Sequence, residues 1–231
     1  MFQGFTQQTI DFMWALRFNN EKRWFEAHKD EYKTVLEKPM HLLAREVFGG
    51  LGASRADPAL HLHISRIYRD ARRLRGEGPY KDHLWFTLRP QDEAWTDKPV
   101  FWFELAPETW SYGLGYYRAK PLTMSKLRAR IDGGPEPLAK LNRTLLRQDE
   151  FILEGDDYAR PKREAGLPLA EWYNKKTFSL IHEEPIGEAV FSPALTDRIV
   201  QGFSFLLPFY RYFVTLDEDP APEDGRLRAE N

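Results

Sequence analysis

The sequence predicts an α+β fold, in which an antiparallel β-meander in the middle of the chain is flanked by N-terminal and C-terminal helices. Three observations support this prediction: helically spaced apolar residues before residue 50, alternating aromatic-rich runs between residues 61 and 117, and renewed helical spacing near the C-terminus. The connections between the middle runs are short and have no room for crossover helices, which favours antiparallel neighbours.

The N-terminal region has the capping residues and spacing of helices. Thr6 is the predicted N-cap of the first helix, and Asn20 can cap the second. Trp24, His28 and Tyr32 follow at four-residue intervals, so we expect them to share one face of the second helix. A further apolar stripe predicts a third helix before the strands begin.

The middle and C-terminal elements are predicted from the spacing of apolar residues, which has the period of a strand in some stretches and of a helix in others. The predicted strands of the meander are residues 61–69, 84–89, 100–105 and 110–117. Helices are predicted at 125–131 and 136–146, short strands at 151–154 and 177–181, and a long final helix from Pro193. No repeat or convincing linker divides the chain, so we predict a single domain over residues 1–216. Residues 217–231 form an acidic tail that we expect to be frayed.

Composition limits the classes of protein to consider. The chain has 231 residues, of which 42% are hydrophobic and 29% charged, and this is the composition of a globular domain rather than a disordered one. Because the chain has no cysteine, it has no disulfide, thiolate nucleophile or Cys-based metal site. No basic residue precedes Arg17 and no apolar run reaches the roughly 18 residues of a membrane span, so we expect a cytoplasmic protein without a membrane partner.

The familiar catalytic and cofactor motifs are missing from the sequence. It contains no HExxH, GxSxG, GxxxxGK[ST] or GxGxxG pattern, so we predict no cofactor and assign no reaction class. His61 and His63 would lie on one face of a strand, a spacing that can hold a metal ion. No third ligand is identifiable nearby, so we interpret them as exposed polar residues and predict no metal.

The segment from residue 66 to residue 83 concentrates basic and aromatic residues, although the net charge of the chain is −2. Arg suits bidentate binding of oxyanions, and Tyr supplies a ring and a hydroxyl. The candidate ligand-binding residues are Arg66, Tyr68, Arg69, Arg72, Tyr80 and Lys81. A regular strand would put Arg66 on the same face as Leu62 and Ile64, where a buried guanidinium needs a carboxylate or phosphate partner.

Three interpretations of this segment remain open. It can bind a small anionic or phosphorylated ligand in a cleft, in which case an enzyme built on it would use His28 or His83 for proton transfer and Asp70 as the orienting or abstracting carboxylate. It can bind nucleic acid or a protein partner on an exposed surface, although the net charge disfavours nucleic acid. It can also be a structural ion-pair network.

A smaller basic group follows later in the chain, where the sequence assigns it no role. It comprises Arg160, Lys162, Arg163, Lys175 and Lys176.

Five stretches of the sequence carry a family resemblance. They are Asn19-Asn20 with Trp24-Phe25 and His28, Arg66 to Asp70 with Arg72, Pro79-Tyr80-Lys81 with His83, Gly113 to Tyr117 with Pro121 and Arg128, and Lys175-Lys176 with Phe178. On these stretches the chain resembles the bacterial and fungal family known only as domain of unknown function 2461. The resemblance runs from Phe5 to about Phe213 and implies one shared fold without an assigned activity.

Overall fold

A computed structural model of the chain describes residues 1–52, 59–70, 78–91 and 95–222. It confirms the predicted α+β class. An antiparallel six-stranded sheet occupies the middle of the chain, with helices before and after it. Numbered along the chain, its strands lie side by side in the order first, second, third, fourth, sixth, fifth. None of the described helices is both long enough and apolar enough to cross a bilayer.

The strands lie close to their predicted positions. They are β1 (His61–Ile64), β2 (Leu84–Arg89), β3 (Pro99–Leu105), β4 (Thr109–Tyr116), β5 (Ile152–Glu154) and β6 (Ser179–Pro185). Antiparallel pairing sets Phe86 opposite Phe103 and Leu88 opposite Phe101. All four side chains are buried, because residues of one parity along each strand point to the same face.

Along the chain, the described α-helices lie before β1, between β4 and β6, and after β6. They are α1 (Gln7–Phe18), α2 (Lys22–Ala27), α3 (Lys29–Tyr32), α4 (Lys38–Leu51), α5 (Pro121–Gly133), α6 (Glu136–Leu145), α7 (Ala170–Tyr173) and α8 (Leu195–Val214). Thr6 is the N-cap of α1 as predicted, and its backbone N–H donates to Thr9 Oγ1 at 3.1 Å. A π-helical turn at Lys33–Glu37 joins α3 to α4.

The prediction for the first strand was wrong at its C-terminal end, because β1 stops at Ile64 rather than residue 69. Ser65 N still donates to Trp85 O at 2.8 Å. In the other direction, Trp85 N donates to the Ser65 side-chain oxygen at 3.1 Å rather than to a backbone carbonyl. A side chain therefore replaces the backbone in the ladder, and the chain leaves the sheet at this residue.

Residue contacts divide the chain into two compact units, each assembled from three segments. Unit 1 comprises residues 1–89, 101–112 and 183–204, and unit 2 comprises residues 90–100, 113–182 and 205–231. Helix α4 packs against β1 and β2 in unit 1, and α5 packs against α7 in unit 2. The single domain over residues 1–216 remains a prediction.

Each unit has its own aromatic core. In unit 1, the rings of Phe86 and Phe103 stack at 5.4 Å, and Phe101 and Phe203 pack at 5.0 Å. The core of unit 2 is built around Phe178, whose ring lies 4.8 Å from Phe213, 5.2 Å from Trp172 and 5.4 Å from Tyr116. Burial of such rings supplies most of the apolar surface that stabilises either unit.

The beginning of the C-terminal tail contacts α5 within unit 2, and the expectation that residues 217–231 are frayed stays a prediction. Arg130 forms two charge-assisted hydrogen bonds to the Asp219 carboxylate, both at 2.6 Å, within unit 2. The remainder of the expected tail, residues 223–231, lies outside the described residues.

Gly155 generates the first testable prediction, because it combines a positive φ with close backbone packing. Its φ is +139°, and a Cβ at this position would lie 2.1 Å from Thr177 O. Gly155→Ala should therefore lower the free energy of unfolding by about 2–4 kcal/mol. Gly166 is the matched control, since its φ is +87° but a Cβ there would meet no atom within 4 Å.

Gly166→Ala should cost only the conformational term, about 1–2 kcal/mol. Chemical denaturation of both variants measures the difference. Equal losses in the two proteins would contradict the close approach at Gly155.

Candidate functional site

The basic-aromatic segment forms a short antiparallel ribbon in unit 1, built from residues 67–69 and 79–81. Tyr68 and Tyr80 form its bridge. On either side of the bridge, Arg69 N donates to Pro79 O at 2.9 Å and Lys81 N donates to Ile67 O at 2.7 Å. The ribbon therefore places residues 67–69 beside residues 79–81, although the two stretches are separated along the sequence.

Asn20 fixes this ribbon from the N-terminal helices. Its side-chain amide donates to Tyr80 O at 2.8 Å, and its side-chain oxygen accepts from Tyr80 N at 3.0 Å. The amide therefore pairs with Tyr80 as a neighbouring strand would. Gly78 permits this approach, because a Cβ there would lie 2.3 Å from Asn20 Cγ.

Aromatic packing against Phe25 supports the ribbon. Phe25 stacks on Tyr80 at 4.1 Å and meets the edge of Tyr68 at 5.9 Å. Tyr80 is only 2% exposed, whereas Tyr68 is 49% exposed. Of the two predicted ligand-binding tyrosines, Tyr68 thus presents its ring to solvent, and Tyr80 anchors the ribbon in the core.

Lys81 is the most perturbed basic group of the ribbon. It is half-buried, and its Nζ lies 5.4 Å from the centroid of the Trp85 ring. The pKa of Lys81 is lowered to about 8, mainly by burial; Glu104 opposes this shift, and the Arg69 and Arg66 guanidiniums add to it. The shift therefore marks an amine in a partly water-excluded environment with both guanidiniums and a carboxylate nearby.

The arginines of the ribbon differ in their exposure. Arg66 is exposed, so the expectation of a guanidinium on the apolar face was wrong; the strand ends before Arg66 reaches that face. Arg69 is half-buried, and its Nε donates to Tyr80 O at 2.9 Å. Arg72, the remaining predicted arginine, lies outside the described residues.

His61 and His63 are both exposed on β1, as interpreted from the sequence. Burial of part of the His63 ring lowers its pKa, and the positive charges of Arg89, Lys81 and Arg66 act in the same direction. Three cationic side chains therefore act on one imidazole in this part of unit 1. Within the described ranges, no three His, Asp or Glu side chains come together as a metal site would require.

The three candidate catalytic residues are not brought together as a group. His28 stacks on Trp24 at 4.1 Å, and its Nδ1 lies 2.8 Å from Trp24 O at the end of α2. Asp70 is exposed at the end of the ribbon. His83 Nδ1 lies 3.0 Å from Asp82 Oδ1, so its carboxylate partner is Asp82.

Sequence reasoning missed the ion network behind His83. Arg17 bridges Asp82 and Glu108. Burial alone would raise the pKa of Asp82, but hydrogen bonds from His83 and Arg17 outweigh burial and hold it below its usual value. Asp82 is adjacent to the predicted residues, but its partner Arg17 is 65 positions away, so no local pattern could have revealed the pair.

The fold and the geometry of the ribbon define a class of protein. It is an antiparallel α+β protein in which basic side chains lie on a support of aromatic rings. The family model described as "Conserved hypothetical protein (DUF2461)" matches residues 8–212. The chain belongs to this family, which confirms the resemblance found in the sequence. A comparison with curated proteins gave no match.

The Asn20 contact generates a prediction about stability. Asn20→Ala leaves the N–H of the largely buried Tyr80 without its acceptor and should lower the free energy of unfolding by about 2–3 kcal/mol. Asn19→Ala is the control, because Asn19 is exposed and makes a single side-chain bond to Ala15 O at 2.9 Å.

The control should cost less than about 0.5 kcal/mol. Thermal or urea unfolding distinguishes the two variants. Comparable losses would mean that Asn20 does not hold the ribbon.

Proposed function

We propose that the chain binds a small anionic, in particular phosphorylated, ligand at the ribbon through Arg66, Arg69 and Lys81. The observation that carries this proposal is the half-buried Lys81 amine, whose pKa of about 8 reflects burial first, with Glu104 raising it and the Arg69 and Arg66 guanidiniums lowering it. An oxyanion placed among these groups relieves their mutual repulsion and receives charge-assisted hydrogen bonds from each of them. A phosphorylated metabolite is also consistent with the cytoplasmic location expected from the sequence.

Preorganisation of the ribbon supports the same function. The hydrogen bond from Arg69 Nε to Tyr80 O fixes the guanidinium, and Asn20 fixes the same carbonyl. A cation that is already held in place loses little side-chain entropy when an anion binds. Tyr68, with its exposed ring, lies beside the charged groups and can contact the uncharged part of a ligand.

A second candidate function uses the same residues as an open surface. Exposure of both Tyr68 and Arg66 favours stacking and backbone contacts with a single-stranded nucleic acid. The half-buried position of Lys81 favours the small ligand instead. A fluorescent oligonucleotide titration separates the two, because a nucleic-acid function requires affinity that falls steeply with salt and is lost in Tyr68→Ala.

Sulfate is a suitable probe for the proposed site, because it stays dianionic while Lys81 titrates. Protonated Lys81 attracts the anion and the neutral amine does not, so affinity should fall as the pH rises through about 8. Between about pH 6.5 and about pH 9 we expect a loss of roughly 10-fold, measured by equilibrium dialysis with labelled sulfate.

Three variants make the sulfate experiment specific. Lys81→Arg keeps its charge over this range and should keep its affinity at both pH values. Lys81→Met should bind weakly at both. Lys22→Met, which removes an exposed lysine of unit 1, should behave as the parent does. Equal sulfate binding by the parent and Lys81→Met would exclude Lys81 from an anion site.

The same shift predicts a gain in stability when the charge is removed. Because the folded protein lowers the pKa of Lys81, the unfolded state binds the proton more tightly. The resulting loss of folding stability is fully present below about pH 8. Lys81→Met should therefore raise the free energy of unfolding at pH 7 by about 1–2 kcal/mol, allowing for solvent screening. The gain should shrink between about pH 8 and about pH 10, and a gain that does not change with pH would contradict this origin.

A further inference from the structure

A second cluster of cations surrounds one tyrosine in unit 2, on a part of the chain to which the sequence assigned no function. The ring of half-buried Tyr158 lies 4.5 Å from Lys162 Nζ, 5.2 Å from Arg128 Cζ and 5.9 Å from Lys176 Nζ. Three cations on one ring are more than cation–π attraction alone explains, because the like charges repel one another.

A cavity of about 470 Å³ opens beside this ring. Tyr158, Arg160, Lys162 and Lys176 form its polar part, and Ala119, Pro121 and Ala159 form its apolar part. The volume lies in the range of small-molecule sites. All the charged side chains that line the cavity are basic.

Two carboxylates of this region, those of Asp132 and Asp157, pair with residues that do not line the cavity. Asp132 pairs with Arg163 and accepts a hydrogen bond from the Tyr173 hydroxyl at 2.8 Å. Asp157 pairs with Lys175 at 3.2 Å. Within the part of the chain that the structure describes, neither Arg160 nor Lys176 has an ion-pair partner.

Arg128 supplies an independent observation. Its Nη2 donates to Ser125 Oγ at 3.0 Å, but its Nη1 is buried and has no acceptor among the described residues. An unsatisfied guanidinium N–H is costly, particularly next to other cations. An anion in the cavity would be favourable for the Arg128 guanidinium, whose Cζ lies 5.2 Å from the Tyr158 ring.

We propose that this cavity binds the dianionic oxyanion group of a small molecule, such as a phosphate ester. Arg160 and Lys176 hold the charge, Arg128 backs it from beside Tyr158, and Pro121 with the Tyr158 ring contacts the uncharged part of the ligand. The site lies wholly within unit 2 and does not depend on the function proposed for Lys81.

Amide chemical-shift perturbation with inorganic phosphate and with phenyl phosphate tests the proposal at near-neutral pH. Both probes should shift the resonances of Ala159, Lys162 and Lys176, and phenyl phosphate should bind at least about 3-fold more tightly through its ring. The double variant Arg160→Gln/Lys176→Gln should weaken both probes by about 10-fold or more. Its altered residues are exposed, and an otherwise unchanged spectrum confirms that it is folded.

Two controls locate the effect. Arg147→Gln removes an exposed arginine of the same unit away from the cavity, and Lys22→Met removes an exposed lysine of unit 1; both should keep the phosphate affinity at Tyr158 within about 2-fold. Shifts that miss residues 158–176 at millimolar phosphate overturn the proposal. It is also overturned if the double variant and Arg147→Gln bind phosphate equally.

Discussion

The two hydrogen bonds between the Asn20 side chain and the Tyr80 backbone are the contact on which the candidate site depends. Through them the N-terminal helices reach the ribbon, and the ribbon in turn fixes Arg69 through the Tyr80 carbonyl. Phe25 reinforces the same attachment from the apolar side. Two polar bonds and one stacked ring thus convert a stretch outside the sheet into a support that can hold positive charges close together.

Holding cations close together costs free energy, because like charges repel one another. The net charge of −2 describes the whole protein, but acidic and basic groups are unevenly distributed. Arg17, Arg130 and Arg163 are each matched by a carboxylate. Around Lys81 and around the ring of Tyr158, several cations lie close together. An external anion gains most from binding where cations are close together.

The fold was largely predictable because its strands have strong local signals. β2 was predicted residue for residue, since alternating large residues between polar flanks leave little freedom of register. The early end of β1 was not predictable, because Ser65 is an ordinary strand residue until its hydroxyl accepts from Trp85 N. The candidate site was predictable in its residue types but not in its exposure: burial of Tyr80 depends on Phe25, 55 positions earlier in the sequence. The cluster at Tyr158 was visible only as scattered basic residues, because Arg128 lies 30 positions before Tyr158 in the sequence.

The contact between Gly78 and Asn20 also constrains how this sequence can change over evolutionary time. A side chain at position 78 would occupy the space of the Asn20 amide, so neither position can vary independently. A larger residue at 78 becomes acceptable only after position 20 has become smaller, and that first change releases the ribbon. Positions 20 and 78 lie far apart in the first segment of unit 1. They should nevertheless change together or both stay unchanged.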